Sequence, residues 1–264
     1  MEMMMLKEDL YRELKSNEGS VMSGQQLADL YRVSRTAVWK AVRSLQEEGY
    51  PIESVGRKGY RIAKGTDLLT TDGIRAFLTQ PDRIEIRVFR TIDSTNGEAE
   101  RMIADGFRGP ALLAAEEQTR GRGHNRSTFE SPAAKGVYMT LLLPLRLPFT
   151  EVSFISRAAA DAVTGTLSGI CRQNLGNAET AAQQSHEIHT EKINDIYDGD
   201  RKIGGILCEV LASDLESGCI DVAVIGIGIH LDGLPAGVTR DRITASITSR
   251  LYRSLYDRSE DPDV

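Results

Sequence analysis

The sequence predicts an α+β protein in two parts, a short helical part that ends in a β-hairpin and a longer part built on a mixed sheet. Three observations support this. Apolar residues recur at helical spacing in the first 48 residues, two short β-like stretches then flank a Gly-rich turn, and strand-like and helix-like patterns mix after Pro81. A length of 264 residues is enough for two ordinary domains. The polar linker near residue 65 therefore predicts domains of residues 1–65 and 66–264.

Three helices are predicted before residue 50. The first is marked by leucines at every fourth position: Leu6, Leu10 and Leu14. Ser23 begins the second helix, because Gln26 three positions later completes a capping box. Ser34 is a good N-cap for a third helix over 35–48, which Gly49 ends.

The third helix and the following hairpin carry a local excess of positive charge. Residues 34–64 hold seven Lys or Arg and three Asp or Glu, whereas the whole chain has a net charge of −6. Three helices, a basic third helix and a basic hairpin tip are typical of a winged helix-turn-helix that binds DNA. The predicted DNA contacts are Arg35, Thr36, Trp39, Lys40, Arg43, Arg57 and Lys58. Trp39 is open to two roles, stacking on a DNA sugar or packing against the wing, and we favour packing.

Four segments of the second part carry residue types suited to a charged ligand. They are Asp93–Asn96 at a helix start, the Gly- and Arg-rich loop Gln118–Arg126, the charged cluster Glu191–Asp195, and Lys202–Leu207 with Gly226–His230. Helix starts and glycine loops offer free N–H groups to anions, and glycines within strands mark close approach of a ligand or another backbone. Each has a plainer interpretation alone, as a helix cap, a solvated loop, an edge lysine or close strand packing. Neither a P-loop nor a dinucleotide fingerprint is present.

Taken in order and spacing, the segments resemble the bacterial bifunctional biotin protein ligase/repressor family. After the winged helix come DSTN, QTRGRG, FESP, KIND, RKIGGIL and GIGI, from residue 93 to about residue 230. The resemblance implies a biotin/lipoate ligase-like catalytic domain that uses biotin and MgATP to form biotinyl-5′-adenylate. It further implies transfer of biotin to a lysine of a carboxyl-carrier protein, repression of biotin genes at an operator, and a homodimer when ligand is bound.

The resemblance also implies a set of site residues. Lys192 and Arg122 would be catalytic. Those expected at biotin are Ser94, Thr95, Asn96, Gln118, Arg122, Gly123, His124, Lys192, Gly204 and Gly205. Those expected at ATP or the adenylate are Gly121, Arg122, Gly123, Phe129 and Asn194. No protein-held metal is expected, because Mg²⁺ would arrive on the phosphates of ATP.

The chain departs from the family pattern at several points. His124 replaces a usual Arg, Phe129 replaces a usual Trp, and the KIND segment lacks one residue together with a Trp. A one-residue deletion within a strand reverses the side chains that follow, so we expect Lys192 or Asn194, not both, to keep its direction. The resemblance also does not extend to the family's small C-terminal domain.

These departures leave two other functions open. One is a catalytically degenerate paralogue that acts only as a ligand-responsive DNA-binding regulator. The other is a related ligase that acts on lipoate or another small acid.

Composition limits the setting of the protein. The three cysteines are an odd number without metal-ligand spacing, which indicates reduced thiols and a cytoplasmic location. The first residues mix Met and Leu with charges and so do not form a signal peptide. We expect no membrane span, because no apolar run approaches the roughly 20 residues that one needs.

Overall fold

The computed structural model describes residues 2–47, 50–63, 67–175, 186–211, 218–232 and 239–259. They divide into two compact units, Met1–Phe77 with Ala236–Arg242, and Leu78–Pro235 with Ile243–Val264. None of the helices in these ranges is long and apolar enough to cross a membrane. The predicted helix stop at Gly49 and the linker near residue 65 lie outside the described residues.

The first unit has the predicted order of three helices followed by a hairpin. Its elements are α1 (Glu2–Ser16), α2 (Gly24–Tyr31), α3 (Arg35–Glu47), β1 (Ile52–Ser54), β2 (Tyr60–Ile62) and α4 (Thr71–Phe77), with β1 and β2 antiparallel. One apolar core joins α1, α2, α3 and the hairpin, and includes Leu10, Leu14, Leu27, Val38, Leu45 and Ile62. The predicted capping box is present, since Ser23 and Gln26 exchange side-chain and backbone hydrogen bonds.

The turn between α2 and α3 is fixed by local hydrogen bonds. Arg32 adopts a left-handed conformation with φ 54°, and its N–H donates to the carbonyl groups of Ala28 and Asp29. Two residues later the Ser34 hydroxyl accepts a hydrogen bond from the N–H of Ala37, 3.1 Å away. The chain therefore ends one helix and begins the next within three residues, which determines where the exposed side of α3 begins.

The second unit is built on one mixed sheet of seven strands in the order β3-β4-β5-β9-β8-β7-β6. The strands are β3 (Glu85–Ile92), β4 (Ala111–Gln118), β5 (Gly136–Pro148), β6 (Ile188–Glu191), β7 (Asp195–Asp198), β8 (Arg201–Leu211) and β9 (Cys219–His230). β3 and β4 are parallel, and the other neighbours are antiparallel. The remaining helices are α5 (Thr95–Ala104), α6 (Val152–Leu175) and α7 (Arg240–Ser259).

The strand pattern explains which parts of the sheet are buried. β4, β5 and β9 are apolar over most of their length, are central in the sheet and are largely buried. α5 connects the parallel strands β3 and β4, so its first residues follow the carboxyl end of β3. The loop after β4 starts from the same end. The fold thus brings two of the four polar segments together.

Candidate functional site

A cavity of about 540 Å³ lies in the second unit where the four polar segments meet. Its wall combines the start of α5, the loop after β4, the turn between β6 and β7, and the glycine-rich parts of β8 and β9. This volume is in the range of small-molecule sites. Most of the residues predicted at biotin or ATP line it: Ser94, Thr95, Asn96, Gln118, Arg122, Gly123, His124, Phe129, Lys192, Asn194 and Gly205.

The start of α5 forms the polar floor of this cavity. Ser94 caps the helix by accepting a hydrogen bond from the N–H of Gly97, and Thr95 and Asn96 are buried. The N–H of Thr95 donates to Oε1 of Gln118 over 2.8 Å. Nε2 of Gln118 donates in turn to the Ser131 hydroxyl over 2.9 Å. The floor is therefore preorganised by side chains from two segments.

The Gly- and Arg-rich loop folds back on itself. The N–H of Phe129 donates to the carbonyl oxygen of Gly121 over 2.9 Å, and the N–H of Gly123 donates to that of Ser127 over 2.8 Å. Gly121 is buried, and a Cβ at this position would meet the carbonyl oxygen of Phe129. These hydrogen bonds give the loop a defined backbone conformation, although most of its described residues are exposed to solvent.

Arg122 is held between two carboxylates. Its Nη2 lies 2.7 Å from Oε1 of Glu100 and 3.5 Å from Oε2 of Glu209. Burial alone would lower the pKa of Arg122, but the hydrogen bond to Glu100 and the charges of both carboxylates outweigh burial and raise it. The guanidinium is thus a fixed cation at the edge of the cavity.

Lys192 and Asn194 both line the cavity, and the premise that the missing residue falls within a strand is wrong. The reason is that residues 192–194 form the turn between β6 and β7 and are not part of a strand. Lys192 and Ile193 have positive φ angles of 51° and 67°, and the carbonyl oxygen of Asn194 accepts a hydrogen bond from Ile206 over 2.8 Å. A turn absorbs the missing residue without reversing the side chains after it.

An aromatic cluster supports Phe129, which lines the cavity. The rings of Phe129 and His230 are stacked, with centroids 5.1 Å apart and planes at 19°, and Tyr138 meets both edge-on. A Cβ at Gly228 would meet the Phe129 ring. The glycine therefore leaves room for the ring beside the strand.

Two predicted residues do not line the cavity. Gly121 lies against the carbonyl oxygen of Phe129 within the loop, and Gly204 lies against the backbone of Gly228, which fills the space that a side chain would take. Both positions require glycine for close backbone approach.

Other lining residues were not predicted. Lys202 donates a hydrogen bond to Asp195 over 2.7 Å, and both line the cavity with Met139, Ile206, Leu207 and Ile227. The signal for Lys202 was its place at the head of the glycine-rich β8 segment.

In the first unit, the exposed side of α3 and the tip of the hairpin carry the predicted DNA contacts. Arg35, Thr36, Lys40, Arg57 and Lys58 are exposed. The favoured packing of Trp39 against the wing is wrong, because Trp39 is 48% exposed.

Trp39 is instead covered in part by a neighbour on its own helix. The Arg43 guanidinium lies 5.5 Å from the centre of the Trp39 ring, and Arg43 also pairs with Glu47 at 3.1 Å. Trp39 and Arg43 are one helical turn apart, so a cation–π contact holds both side chains on the exposed face.

Comparisons with known proteins match both units. The model of the biotin/lipoate A/B protein ligase family matches residues 88–229, and an HTH domain model matches residues 7–61. The protein named bifunctional ligase/repressor BirA of Bacillus spizizenii is 34% identical over 229 residues, covering 86% of this chain and 65% of the relative. The protein of the same name from Bacillus subtilis is 32% identical, covering 87% and 66%. The chain thus spans slightly less than two thirds of the length of these curated relatives.

A solved structure supports the fold alone. A biotin protein ligase-like protein of unknown function from Silicibacter sp. TM1040 aligns with a TM-score of 0.51 at 11% identity, over 70% of this chain and 75% of that one.

Proposed function

Because the chain belongs to the biotin/lipoate A/B protein ligase family, we propose that it is a biotin protein ligase and also a DNA-binding repressor of biotin genes. The observation that carries the enzymatic part is the composition of one cavity. A polar, hydrogen-bonded floor, an apolar wall and the cations Arg122, Lys192 and Lys202 line the same space. A bicyclic ureido ring on an apolar tail that ends in a carboxylate needs this combination.

In this proposal the ureido ring of biotin lies on the floor formed by Ser94, Thr95 and Gln118. The valeryl chain runs along the apolar residues of β8 and β9, and the carboxylate reaches Lys192 and Arg122. Asn96, Gly123, His124 and Gly205 complete the biotin contacts. ATP would contact Gly123, Phe129 and Asn194, while Gly121 shapes the loop by its close approach to the backbone of Phe129.

The reaction couples two steps. A carboxylate oxygen of biotin attacks the α-phosphorus of ATP, the bond to the β-phosphate breaks, and pyrophosphate leaves. The amine of a carrier lysine then attacks the acyl carbon of biotinyl-5′-adenylate, and AMP leaves as an amide forms. In the first step the biotin carboxylate approaches the negatively charged α-phosphate of ATP. Lys192 and Arg122 therefore stabilise the transition state of this step.

Mg²⁺ would neutralise the phosphates of ATP as it enters with them. Lys192 and Lys202 line the cavity and suit the phosphates that would carry Mg²⁺. Asp195 is already paired with Lys202, so this part of the cavity does not suit a cage of protein carboxylates around the ion. The chain's own residues orient the α-phosphate and the carboxylate.

Biotin-dependent exchange of labelled pyrophosphate into ATP tests the first step without a carrier. We expect exchange by the wild type and its loss in Lys192→Ala. Lys135→Ala is the matched control, because Lys135 is exposed, pairs with Asp232 and does not line the cavity. Exchange with lipoate and not biotin would favour the lipoate-type ligase. Biotin binding without exchange would favour the regulator that has lost catalysis.

The remaining proposals concern the DNA-binding part and the partners. We propose residues 1–65 as the DNA-binding domain and residues 66–264 as the catalytic domain. The surface of α3 and the hairpin tip would bind operator DNA, with Arg35, Thr36, Trp39, Lys40, Arg43, Arg57 and Lys58 as contacts. A carboxyl-carrier protein would be the acceptor, the ligand-bound form would be a homodimer, and the location would be cytoplasmic.

A further inference from the structure

A chain of four polar side chains begins in the cavity floor and ends at a carboxylate. Nδ2 of Asn96 donates to Oε2 of Glu209 over 2.8 Å. Oδ1 of Asn96 lies 2.6 Å from the hydroxyl of Thr140, and that hydroxyl lies 2.8 Å from the hydroxyl of Thr95. We call these four residues the polar chain. Thr140, Thr95 and Asn96 are 0%, 2% and 4% exposed, so water does not compete for their hydrogen bonds.

The carboxylate determines how Asn96 is oriented. An ionised carboxylate only accepts hydrogen bonds, so the atom of Asn96 that faces Glu209 must be the amide nitrogen. The amide oxygen then faces Thr140 and only accepts. The Thr140 hydroxyl, which has one proton, must give that proton to Asn96.

The same reasoning fixes the proton of Thr95. Because the Thr140 proton points to Asn96, the 2.8 Å contact between the two hydroxyl groups requires Thr95 to donate to Thr140. The Thr95 hydroxyl also lies 3.1 Å from Oε1 of Gln118, but this contact is longer than the 2.8 Å to Thr140, and Oε1 already accepts a hydrogen bond from the backbone N–H of Thr95. The Thr95 oxygen is left with lone pairs and no proton for a ligand in the cavity.

We propose that Glu209 is a positioning and specificity residue, which acts through Asn96 and Thr140 to make Thr95 an obligate hydrogen-bond acceptor. This inference rests on the proposed function. The ligand group that satisfies such an acceptor is an N–H, as in a cyclic urea, and a ring without N–H leaves the Thr95 oxygen unsatisfied. A lipoate-like ring is rejected on this ground, because unpaired buried polar groups discriminate more strongly than apolar fit does.

Glu209 also faces Arg122, so the experiment must separate two routes. Glu209→Gln keeps the shape but removes the charge that orients Asn96. Glu100→Gln is the matched control, since Glu100 is the nearer partner of Arg122 and does not contact Asn96. The double variant Glu209→Gln with Asn96→Asp moves the charge one residue along the polar chain. The carboxylate then accepts from Thr140 and the original proton order returns.

Calorimetric titration with biotin is the measurement, with the melting temperature of each variant as a check on folding. We expect Glu209→Gln to weaken biotin binding about three- to tenfold, the range for one hydrogen bond. Glu100→Gln, which changes a partner of Arg122 but not the polar chain, should weaken biotin binding less than Glu209→Gln does. The double variant should recover most of the affinity, although Asn96→Asp alone, which sets two carboxylates together, should bind less well than the wild type.

A second ligand reports the proton order directly. Cyclic carbamate analogues of biotin replace one ureido N–H by oxygen. In the isomer that loses the N–H facing Thr95, the ring oxygen and the Thr95 oxygen both present lone pairs and repel each other. The ratio of the affinity for biotin to the affinity for this isomer should be smaller in Glu209→Gln than in the wild type, and it should increase again in the double variant.

Each result has a distinct meaning. Equal losses in Glu209→Gln and Glu100→Gln would assign the effect to Arg122 and overturn the inference. Unchanged binding in Glu209→Gln, or no recovery in a folded double variant, would also overturn it while the proposed function stands. Failure of the wild type to bind biotin would overturn both.

Discussion

Phe129, which lines the cavity, forms a parallel stack with His230, with ring centroids 5.1 Å apart and 19° between the planes. Phe129 comes from the loop after β4 and His230 from the end of β9, so the stack ties the loop to the sheet. Tyr138 supports both rings from the side. The flat ring of Phe129, in the same cavity as the proposed phosphate-binding residues, is suited to stacking on a purine base.

Replacing Phe129 by Ala should therefore affect ATP more than biotin. We expect the KM for ATP to rise about three- to tenfold, the value of one aromatic contact. Phe129→Trp keeps a flat apolar ring and should keep the KM near that of the wild type. Steady-state kinetics at saturating biotin make the comparison. An equal rise in the KM for biotin would show that Phe129 shapes the whole cavity and not an adenine site.

Gly226 tests the packing of the cavity floor. A Cβ at this position would meet the amide of Asn96, which is itself held by Glu209 and Thr140. We expect Gly226→Ala to lower the free energy of unfolding by about 1–3 kcal/mol, as overpacking does, and to weaken biotin binding. Gly169→Ala is the control, because that helical position has open space around it. Denaturant unfolding measures the free energy of unfolding of both variants, and calorimetry measures their biotin affinity. If Gly226→Ala bound biotin as the wild type does, the proposal that biotin lies on the cavity floor would be contradicted.

The pair of Asp93 and Arg101 predicts a pH dependence at the start of α5. The hydrogen bond from Arg101 lowers the pKa of Asp93 to about 2, against the ordinary value of 3.8. A carboxyl whose pKa is lower in the folded state contributes stability that is present above pH 3.8 and is lost as the pH falls towards 2.

We expect Arg101→Gln to raise the pKa of Asp93 towards its ordinary value. An NMR titration of the carboxyl carbon measures it directly. Arg87→Gln removes a nearby arginine that pairs with Glu85 and Glu98 instead, and should leave the pKa of Asp93 unchanged. A pKa near 2 that persists in Arg101→Gln would mean that the N–H of Ser94 and Arg120, not Arg101, stabilise the anion.

The α3 surface predicts a salt-dependent DNA interaction. Arg35→Ala and Lys40→Ala should each weaken binding to operator DNA. Each should also reduce the slope of log affinity against log salt by about 0.9, because one phosphate contact is lost. Arg146→Ala removes an exposed cation of β5 and serves as the charge-matched control. Slopes that stay the same in Arg35→Ala and Lys40→Ala would exclude α3 as the phosphate-binding surface.

Local chemistry made much of the first unit predictable. The pair of Ser23 and Gln26 indicated the start of α2, and the confirmed capping box begins the helix there, because the two side chains satisfy backbone groups only a few residues away. The prediction that Trp39 packs against the hairpin was wrong because it depends on long-range structure and not on neighbouring residues. Whether it packs or is exposed depends on the tertiary position of the hairpin, which residue spacing does not encode.

The cavity shows the same limit. The four segments were recognisable because each carries residue types that only a ligand or a tight turn requires. The sequence did not indicate that Lys192 and Asn194 lie in a turn, because a short turn and a strand of the same composition differ in backbone angles alone. Glu209 and Thr140 gave no signal, because their role depends on partners 113 and 44 residues away in sequence.

The most direct test of the account is transfer of biotin to a carrier. The purified protein is incubated with biotin, MgATP and a biotin-acceptor domain, and the mass of the acceptor is measured, with Lys192→Ala and Lys135→Ala in parallel. The account predicts an acceptor heavier by one biotinyl group with the wild type and Lys135→Ala, and an unchanged acceptor with Lys192→Ala. An unmodified acceptor with a wild type that binds biotin would contradict the ligase assignment, and equal modification by Lys192→Ala would contradict the role of the β6–β7 turn.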